Sequence, residues 1–475
     1  MSESSLKFGT SGLRGLVVDL NGPPAYAYTR AFSEMIKEGQ GSDAGGAILI
    51  ARDLRASSPD IARLCAAAVA DSGLTPIDCG AAPTPALALA AMNFGLPAIM
   101  VTGSHIPEDR NGLKFYRSNG EIDKSDESRI AAWHERLSGA APSAPHSVET
   151  RDVSSAYRQR YLNFFPERAL TGLTIGVYQH SSVARDLLVD ILTALGATAI
   201  ALGRTERFIP VDTEAVRPED QSLARQWARE QRLDAIVSTD GDADRPLIAD
   251  GAGEFLRGDL VGAMTAAFVG ADAVVTPVSS NSAIETCRRF ETVLRTRIGS
   301  PYVIDGMQRA AAEGRKLVVG FEANGGVLLG SDVAKDGRAL AALPTRDAML
   351  PILALARIVA ETKRPLADLA ADFKFACALS DRLQNVTSER SAGFIAQLEA
   401  DPDFRDAAFA PLGGVVKMDR RDGLRLTTGF DETVHFRASG NAPELRVYVE
   451  AATEARASAL LTFGLDLAKS CAGAS

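Results

Sequence analysis

Three aspartates at alternate positions are the strongest chemical signal in the sequence. Asp240, Asp242 and Asp244 stand in the segment TDGDADR, directly after the apolar stretch Ala235 to Ser238. A turning backbone can aim the three carboxylates at one point, and carboxylate oxygens are the ligands that Mg²⁺ and Ca²⁺ prefer. A calcium loop of the EF-hand type is excluded, because the sixth position holds Arg245 rather than glycine. The alternative is a solvated acidic turn, but three carboxylates repel one another unless cations compensate.

A second polar loop, TGSHIPEDRNGLK, follows the apolar stretch Ala98 to Val101 and contains Ser104, His105 and Lys114. Ligands of open α/β sheets bind beyond the carboxyl ends of strands, so a hydroxyl here can face a cleft. A Ser104/His105 hydrolase pair is disfavoured, because consecutive residues in an extended chain point to opposite faces and the G-x-S-x-G elbow is absent. From the residues alone, a turn serine is the simpler interpretation.

Three glycine-containing loops carry side chains suited to a sugar phosphate. GFEANGG places Glu322 and Asn324 two positions apart, as an acceptor and a mixed donor and acceptor for vicinal hydroxyls, although an Asn-Gly turn is the alternative. FGTSGLRG is neither a Walker loop nor a dinucleotide fingerprint, and it offers Arg14. RASGNAPELR can present side-chain and backbone donors to a phosphate, or simply solvated arginines. Its candidate residues are Arg437, Ser439, Gly440, Asn441 and Arg446.

The elements that must position these loops alternate between strand-like and helix-like stretches, which predicts parallel strands with crossover helices. Three successive units each end a strand in one of the polar loops, and a change to shorter stretches from about Ala371 predicts a smaller α+β domain. We expect an α/β fold of three related α/β domains, 1–140, 153–252 and 253–368, and a C-terminal domain, 371–475. The segment from Leu137 to Asp152 is predicted to be a linker, and His180 to Asp186 a capped helix start.

Composition excludes several classes of function. With 475 residues the chain is long enough for about three or four domains, and its net charge of -9 disfavours nonspecific binding to nucleic acid or an anionic membrane. Five scattered cysteines support neither a disulfide framework nor a zinc site. No apolar run spans a membrane and the N-terminus lacks a signal sequence, so we expect a cytoplasmic protein.

The order of the motifs along the chain resembles the α-D-phosphohexomutase family. The family patterns F-G-T-S-G-x-R-G, T-A-S-H-N-P-x-x-x-N-G-x-K, D-G-D-x-D-R, the sugar loop and R-x-S-G-T-E-P are similar, in that order, to five segments of this chain. These are Phe8 to Gly15, Thr102 to Lys114, Asp240 to Arg245, Gly320 to Gly326 and Arg437 to Pro443. The resemblance implies four domains around a central cleft, each contributing one loop.

The resemblance also implies a reaction, which moves a phosphoryl group between O1 and O6 of a hexose through a hexose 1,6-bisphosphate. Ser104 would carry the phosphoryl group in the resting enzyme and, with Asp240, Asp242 and Asp244, would hold Mg²⁺. Lys114 is the candidate general acid/base. Positive charge around the travelling group would come from Arg14, Lys114 and Arg245, and His105 is a further candidate catalytic residue. The residues expected to hold the substrate are Glu322 and Asn324 at the sugar hydroxyls and Arg437, Ser439, Gly440, Asn441 and Arg446 at the other phosphate.

The chain departs from the family pattern at several positions. Gly103 stands where the family usually has alanine, Ile106 where it has asparagine, and Asn441 with Ala442 where it has Thr-Glu. The sugar loop F-E-A-N-G-G resembles that of bacterial enzymes acting on mannose phosphates, so mannose is the expected sugar. Glucose phosphates, or both sugars, remain alternatives, and a Mg²⁺-dependent sugar phosphatase is a more distant one. A phosphatase needs no loop for a second phosphate, so the Arg437 loop argues against it. A noncatalytic sugar-bisphosphate binding protein is a third alternative, and the presence of Ser104 and Lys114 argues against it.

Overall fold

The computed structural model describes residues 4–9, 12–40, 46–137, 148–439 and 443–472, which form two compact units. Residues 1–274 with 299–370 make up the first unit, and residues 275–298 with 371–475 make up the second. Within the described residues, no helix has the length and apolar character that crossing a membrane requires.

The first α/β domain is built on an eight-stranded mixed sheet. Its strand order is β1-β2-β6-β5-β3-β4-β8, with β7 beside β6. The central strands β3, β4 and β5 are parallel, and β5 pairs antiparallel with β6. Its elements are β1 (Lys7–Phe8), β2 (Leu13–Leu16), α1 (Val17–Leu20), α2 (Pro23–Gln40), β3 (Ala47–Arg52), α3 (Ser58–Asp71), β4 (Thr75–Ala81), α4 (Thr84–Phe94), β5 (Ala98–Val101), β6 (Arg110–Arg117), β7 (Gly120–Glu121), α5 (Lys124–Arg136) and β8 (Glu149–Thr150).

Strand β8 lies inside the segment predicted to be a linker. Glu149 and Thr150 pair in parallel with β4 and so extend the first sheet at its edge. Most of the remaining linker prediction, residues 138–147, falls outside the described residues.

The second α/β domain has a four-stranded sheet in the order β10-β9-β11-β12. Strands β9, β10 and β11 are parallel, whereas β11 and β12 form an antiparallel hairpin. Its elements are α6 (Ser154–Phe164), β9 (Thr174–His180), α7 (Arg185–Ala194), β10 (Thr198–Arg204), α8 (Pro218–Glu230), β11 (Ala235–Thr239) and β12 (Pro246–Asp250).

A helix starts within His180 to Asp186, as predicted, but the predicted side-chain cap is absent. Helix α7 begins at Arg185, and its N-cap residue Ala184 makes no side-chain capping bond. His180 instead ends strand β9 with a φ of 26°, and the Ser182 hydroxyl is 2.6 Å from Thr239 Oγ1. The Ser182 hydroxyl also accepts from the Ala184 N–H at 3.1 Å, so it joins the neighbouring strand end to the turn that precedes the helix.

In the third region, helices and strands alternate as the sequence predicts. Strand β15 pairs antiparallel with β16, and β16 with β19. The elements are α9 (Gly258–Val269), β13 (Ala273–Pro277), α10 (Ala283–Thr286), β14 (Thr292–Thr296), α11 (Ser300–Ala312), β15 (Val318–Phe321), β16 (Val327–Leu329), β17 (Val333–Lys335), β18 (Arg338–Leu340), β19 (Leu343–Asp347), α12 (Met349–Thr362) and α13 (Leu366–Ala371).

The C-terminal domain is a five-stranded antiparallel sheet with helices packed on it. The strand order is β20-β24-β23-β22-β21, and inward residues such as Leu424, Leu426, Val434 and Phe436 form its buried core. The elements are β20 (Cys377–Gln384), α14 (Ser388–Ala400), α15 (Pro402–Phe409), a 3-10 helix (Ala410–Leu412), β21 (Val415–Asp419), β22 (Leu424–Thr428), β23 (Thr433–Ala438), β24 (Glu444–Ala451) and α16 (Glu454–Ala472). The prediction of three α/β domains followed by a smaller α+β domain is confirmed.

Candidate active site

The serine loop begins where the fully buried strand β5 ends. Ser104 has a φ of 54°, in the left-handed region that L-residues rarely adopt. Its backbone N–H donates to Thr102 Oγ1 at 2.7 Å, which closes the turn. The Ser104 hydroxyl is buried and donates to Asp240 Oδ2 at 2.5 Å. A residue of the first domain thus meets the aspartate loop of the second.

The expectation that Ser104 and His105 diverge is wrong. The Ser104 Oγ lies 3.2 Å from His105 Nδ1. An extended backbone would separate the two side chains, but the left-handed φ at Ser104 turns the chain and brings them to the same side. Burial, followed by the positive charges of Arg245 and Arg14, lowers the pKa of His105 far below its ordinary value. The imidazole is therefore neutral.

The aspartate loop connects the two strands of the hairpin β11–β12, whose last register pair is Thr239 and Pro246. Asp240, Asp242 and Asp244 are all buried, and one carboxylate oxygen from each lies within 4.8 Å of the other two. The alternation read from the sequence therefore brings three carboxylates to one place.

Two cations balance these carboxylates from other domains. Lys114, on β6, donates from Nζ to Asp242 Oδ2 at 2.6 Å and to Asp244 Oδ2 at 2.7 Å. Arg346, on β19, donates from Nη2 to Asp244 Oδ2 at 2.8 Å and from Nη1 to Glu322 Oε2 at 3.0 Å. Arg346 joins the aspartate loop to the sugar loop, so one guanidinium serves two of the predicted functional segments.

The electrostatic surroundings differ between the aspartates. Burial, followed by repulsion from Asp242 and Asp244, raises the pKa of Asp240 well above its ordinary value. Burial also opposes the charged form of Asp244, but Arg346, and then Lys114, outweigh it and hold the pKa of that carboxyl below its ordinary value. An added cation would therefore favour the charged form of Asp240.

The residues present fit a divalent cation. Asp242 Oδ1 and Asp244 Oδ1 are buried and have no hydrogen-bond partner among the described residues, although Arg245 Nε lies 3.7 Å from the latter oxygen. A buried charged oxygen without a hydrogen bond is costly unless a metal or an ion pair satisfies it. The donor set is all oxygen, which suits a hard cation such as Mg²⁺.

Arg14 is suited to an anion. Its Nε and Nη2 atoms are buried and have no hydrogen-bond partner within the described ranges. Burial, and then the neighbouring charges of Arg245 and Arg346, lower the pKa of Arg14 to about 10. A phosphate placed among these three guanidinium groups would relieve both their repulsion and the unmet donors.

The sugar loop follows β15 and is a tight turn. Gly325 donates its N–H to the Glu322 carbonyl at 3.0 Å, and Gly326 donates to Asn324 Oδ1 at 3.0 Å. The Asn324 carbonyl accepts from the Thr213 hydroxyl at 2.7 Å, which ties the turn to the segment before α8. The Asn324 side-chain oxygen therefore shapes the loop, and Glu322 is fixed by Arg346.

Two residues of the cluster were not predicted. Arg346 is the first, and its signal was a single arginine within the largely apolar segment LPTRDAML. Thr84, the first residue of α4, is the second, since it donates from Oγ1 to Asp242 Oδ2 at 2.6 Å and from its N–H to the Asp242 carbonyl at 2.9 Å. No spacing rule connects Thr84 with a residue that lies 158 positions later.

The predicted phosphate loop belongs to the second unit. Arg437 on β23 and Arg446 on β24 are register partners, so neighbouring strands carry both cations. Arg437 donates from Nε to Asp422 Oδ1 at 2.9 Å, and Ser439 is buried. The predicted ligands Gly440 and Asn441 lie outside the described residues.

Comparison with known proteins identifies a family match along most of the chain. Family models described as phosphoglucomutase/phosphomannomutase alpha/beta/alpha domains I, II and III match residues 5–138, 156–253 and 257–375. The model described as the C-terminal domain of the same family matches residues 384–463.

Individual relatives extend over nearly the whole chain. A phosphomannomutase of Sinorhizobium fredii is 48% identical over 472 residues, which cover 98% of this chain and 99% of the relative. A phosphomannomutase of Salmonella muenchen is 42% identical, with 95% and 93% coverage. The crystal structure of a phosphoglucomutase/phosphomannomutase family protein from Burkholderia thailandensis has the same fold, with a TM-score of 0.77, 21% identity and coverage of 98% and 97%.

Proposed function

The chain belongs to the phosphoglucomutase/phosphomannomutase family, and from this premise we propose that it is an isomerase that interconverts mannose 6-phosphate and mannose 1-phosphate through a hexose 1,6-bisphosphate. The observation that carries the proposal is the 2.5 Å contact between the Ser104 hydroxyl and Asp240, inside a cluster of three carboxylates and several cations. Phosphoryl transfer depends on alignment and charge neutralisation, and this cluster supplies both.

Ser104 is the phosphoryl carrier. In the first half-reaction the bond between phosphorus and Ser104 Oγ breaks, a bond forms between phosphorus and a free hydroxyl oxygen of the sugar phosphate, and the proton of that hydroxyl passes to Ser104 Oγ. In the second half-reaction the bisphosphate, after reorienting, gives its other phosphoryl group to Ser104 Oγ. The bond between that phosphorus and the sugar oxygen breaks, and the serine proton passes to the sugar oxygen. Lys114 is placed to hold the exchanged proton, and the neutral imidazole of His105 can orient the serine hydroxyl.

A divalent cation, for which we propose Mg²⁺, would be held by Asp240, Asp242, Asp244 and Ser104. When bound, it would neutralise negative charge on the transferring phosphoryl group. Arg14 and Arg245 would add fixed positive charge, and Arg245 Nε lies 3.9 Å from Asp240 Oδ2.

Substrate orientation is assigned to the two other loops. Glu322 and Asn324 would contact the sugar hydroxyls that lie similarly in both orientations of the sugar. Arg437, Ser439, Gly440, Asn441 and Arg446 would bind the phosphate that does not react. Mannose is favoured over glucose because the two relatives with 48% and 42% identity are named phosphomannomutases. The match of the C-terminal family model disfavours the sugar phosphatase alternative.

The proposal is tested by assaying the purified protein with mannose 1-phosphate and glucose 1-phosphate side by side, with Mg²⁺ and a trace of bisphosphate. We expect a higher kcat/KM for mannose 1-phosphate, and intact mass should reveal a species carrying one phosphoryl group. Ser104→Ala should abolish both turnover and that species, whereas Ser128→Ala, on the exposed face of α5, should change neither.

Equal kcat/KM for the two sugars would replace the mannose assignment with dual specificity. Absence of turnover with both sugars, or full turnover by Ser104→Ala, would overturn the proposed mechanism.

A further inference from the structure

Arg55 lies between β3 and α3, and its side chain is completely enclosed. The guanidinium donates from Nη2 to the carbonyl oxygens of Ser104 at 3.0 Å and Ile106 at 2.6 Å. It donates from Nη1 to the carbonyl oxygens of Pro107 at 2.7 Å and Arg110 at 3.0 Å. Four carbonyl groups of the serine loop therefore converge on one side chain.

Asp53 fixes this guanidinium and the other side of the loop at once. Its Oδ2 atom accepts from Arg55 Nε at 3.1 Å, from Thr102 Oγ1 at 2.7 Å and from the Gly103 N–H at 3.3 Å. Asp53 thus accepts hydrogen bonds from the loop, and Arg55 donates hydrogen bonds to it. The charges of the two residues compensate each other inside the protein.

Gly103 makes the close approach of Arg55 possible. A Cβ atom at this position would lie 2.6 Å from Arg55 Cζ and 2.7 Å from Arg55 Nε, closer than real side-chain contacts. The guanidinium therefore occupies the space that a side chain at position 103 would need. The family pattern usually has alanine there, so this close approach goes with a departure of this chain from that pattern.

The guanidinium also faces the second domain. Arg55 Cζ lies 4.0 Å from the centre of the Phe208 ring. Phe208 in turn packs beside Gly241 of the aspartate loop, where a Cβ would lie 3.0 Å from the ring and 2.9 Å from the Ser104 carbonyl oxygen. Phe208 therefore lies beside both Arg55 and the aspartate loop.

We infer that Arg55 is a positioning residue for phosphoryl transfer, because its four carbonyl contacts hold Ser104 in its left-handed conformation and keep Oγ against Asp240. Strained backbone of this kind persists only where the surroundings over-determine it. The inference rests on the proposed function. Arg55 binds the backbone side of the loop, so its loss should lower kcat with little effect on KM.

The test compares Arg55→Lys and Arg55→Ala with wild type. Lysine keeps the charge but cannot reach four carbonyl groups in the geometry of a planar fork. Misplacement of a reacting group by about 1 Å commonly costs up to ~10²-fold, so we expect kcat to fall about 10- to 100-fold and KM to stay within about threefold. Guanidinium ion at nondenaturing concentration should partly restore kcat of Arg55→Ala, whereas methylammonium should not. Arg63→Lys, an exposed change on α3, is the control.

Gly103→Ala provides an independent variant that adds a single methyl group. It should lower kcat in the wild-type background, because the methyl group displaces the guanidinium. In the Arg55→Ala background, Gly103→Ala should not lower kcat further, since the guanidinium that the methyl group would displace is absent.

If wild type has no mutase activity, the proposed function fails. If wild type is active while Arg55→Lys and Gly103→Ala keep its kcat, the inference is wrong and the function stands. Parallel losses of kcat and unfolding temperature without guanidinium rescue would also overturn the inference, since they would indicate a structural role alone.

Discussion

At the scale of single residues, the site is organised by buried charges that satisfy one another only in part. Lys114 uses one oxygen each of Asp242 and Asp244, and Arg346 shares the same Asp244 oxygen. The opposite oxygens of the two carboxylates make no hydrogen bond among the described residues. Lys114 and Arg346 therefore stabilise one side of the cluster, and the other side, where Arg245 Nε lies 3.7 Å from Asp244 Oδ1, offers oxygens to a metal ion.

Asp242→Asn should weaken Mg²⁺ binding and lower kcat. The amide has the shape of the carboxylate but loses a charge, and removal of a charge-stabilising group commonly costs ~10² to 10³ in rate. Calorimetric Mg²⁺ titration and initial rates would measure the two effects. Asp250→Asn, at the far end of the same hairpin, is the matched control, because its side chain accepts, among the residues that the structure describes, only from the backbone N–H groups of Ala252 and Glu254. Full activity of chelator-treated enzyme would contradict the metal assignment.

Arg346→Lys should reduce kcat and raise KM together. A lysine cannot pair with Asp244 and Glu322 through separate N–H groups of a fork, so both the aspartate loop and the sugar loop lose an anchor. Each lost charge-assisted bond contributes about 1.5 to 3 kcal/mol, which corresponds to roughly ten- to a hundredfold in kcat/KM. Arg309→Lys on the surface of α11 is the control. An unchanged KM would mean that Glu322 does not depend on Arg346.

At the scale of elements, helix α9 sets the position of the sugar loop. A Cβ at Gly258, its first residue, would clash with the backbone of Ala323, Asn324 and Gly325. The loop can hold Glu322 in place only because the helix approaches it without a side chain.

Gly258→Ala should therefore displace the sugar loop. We expect KM for both hexose phosphates to rise about three- to tenfold, in keeping with the loss of one or two hydrogen bonds, while the phosphoserine content is unchanged. Gly393→Ala is the control, because a Cβ there meets nothing within 4 Å and the residue is in helix α14. A wild-type KM in Gly258→Ala would show that the loop tolerates the shift.

The elements and the loops were predictable to different degrees. Strands such as Ala98–Val101 and Ala235–Thr239 are short apolar runs that end in polar residues, so local pattern suffices to find them. The convergence of the three aspartates follows in the same way from alternate spacing. The contacts of Arg346 and Thr84 cannot be predicted from local spacing, because each depends on a partner more than 100 positions away. The backbone turn at Ser104 depends on Arg55, and so the approach of His105 could not be read from neighbouring residues.

At the scale of the whole molecule, the loops that carry the predicted site residues are divided between two units with separate cores. The first unit holds the serine, aspartate and sugar loops, and the second holds the arginine loop on a sheet of its own. The second unit also buries a histidine, His435, beside Asp422, Arg425 and Arg437.

Stability of the second unit should decrease on acidification. Burial, opposed by a hydrogen bond to the Asp422 carbonyl, lowers the pKa of His435 to about 4, and its Nδ1 has no hydrogen-bond partner among the described residues. An unfolded histidine has a pKa of about 6.5, so the unfolded state binds more protons and stability is lost as pH falls from 6.5 towards 4. The loss should reach about 2 kcal/mol at pH 5.

Thermal unfolding at pH 7.5 and pH 5 would measure this loss. His435→Gln can keep the donor to the Asp422 carbonyl, found at 2.7 Å in wild type, but does not titrate. The variant should therefore show a smaller decrease in unfolding temperature between the two pH values. An equal decrease in both proteins would assign the acid sensitivity to other groups.

The contacts around Arg55 also allow the serine turn to form before the aspartate hairpin during synthesis. Its bonds to the serine loop span 49 to 55 residues, whereas Ser104 and Asp240 are 136 residues apart. At 5 to 20 residues per second, a ribosome needs about 7 to 27 s to travel between those two codons. The nascent first domain can thus set the shape of the serine turn before Asp240, Asp242 and Asp244 are synthesised. When the hairpin emerges, it meets a turn that is already formed rather than a disordered one.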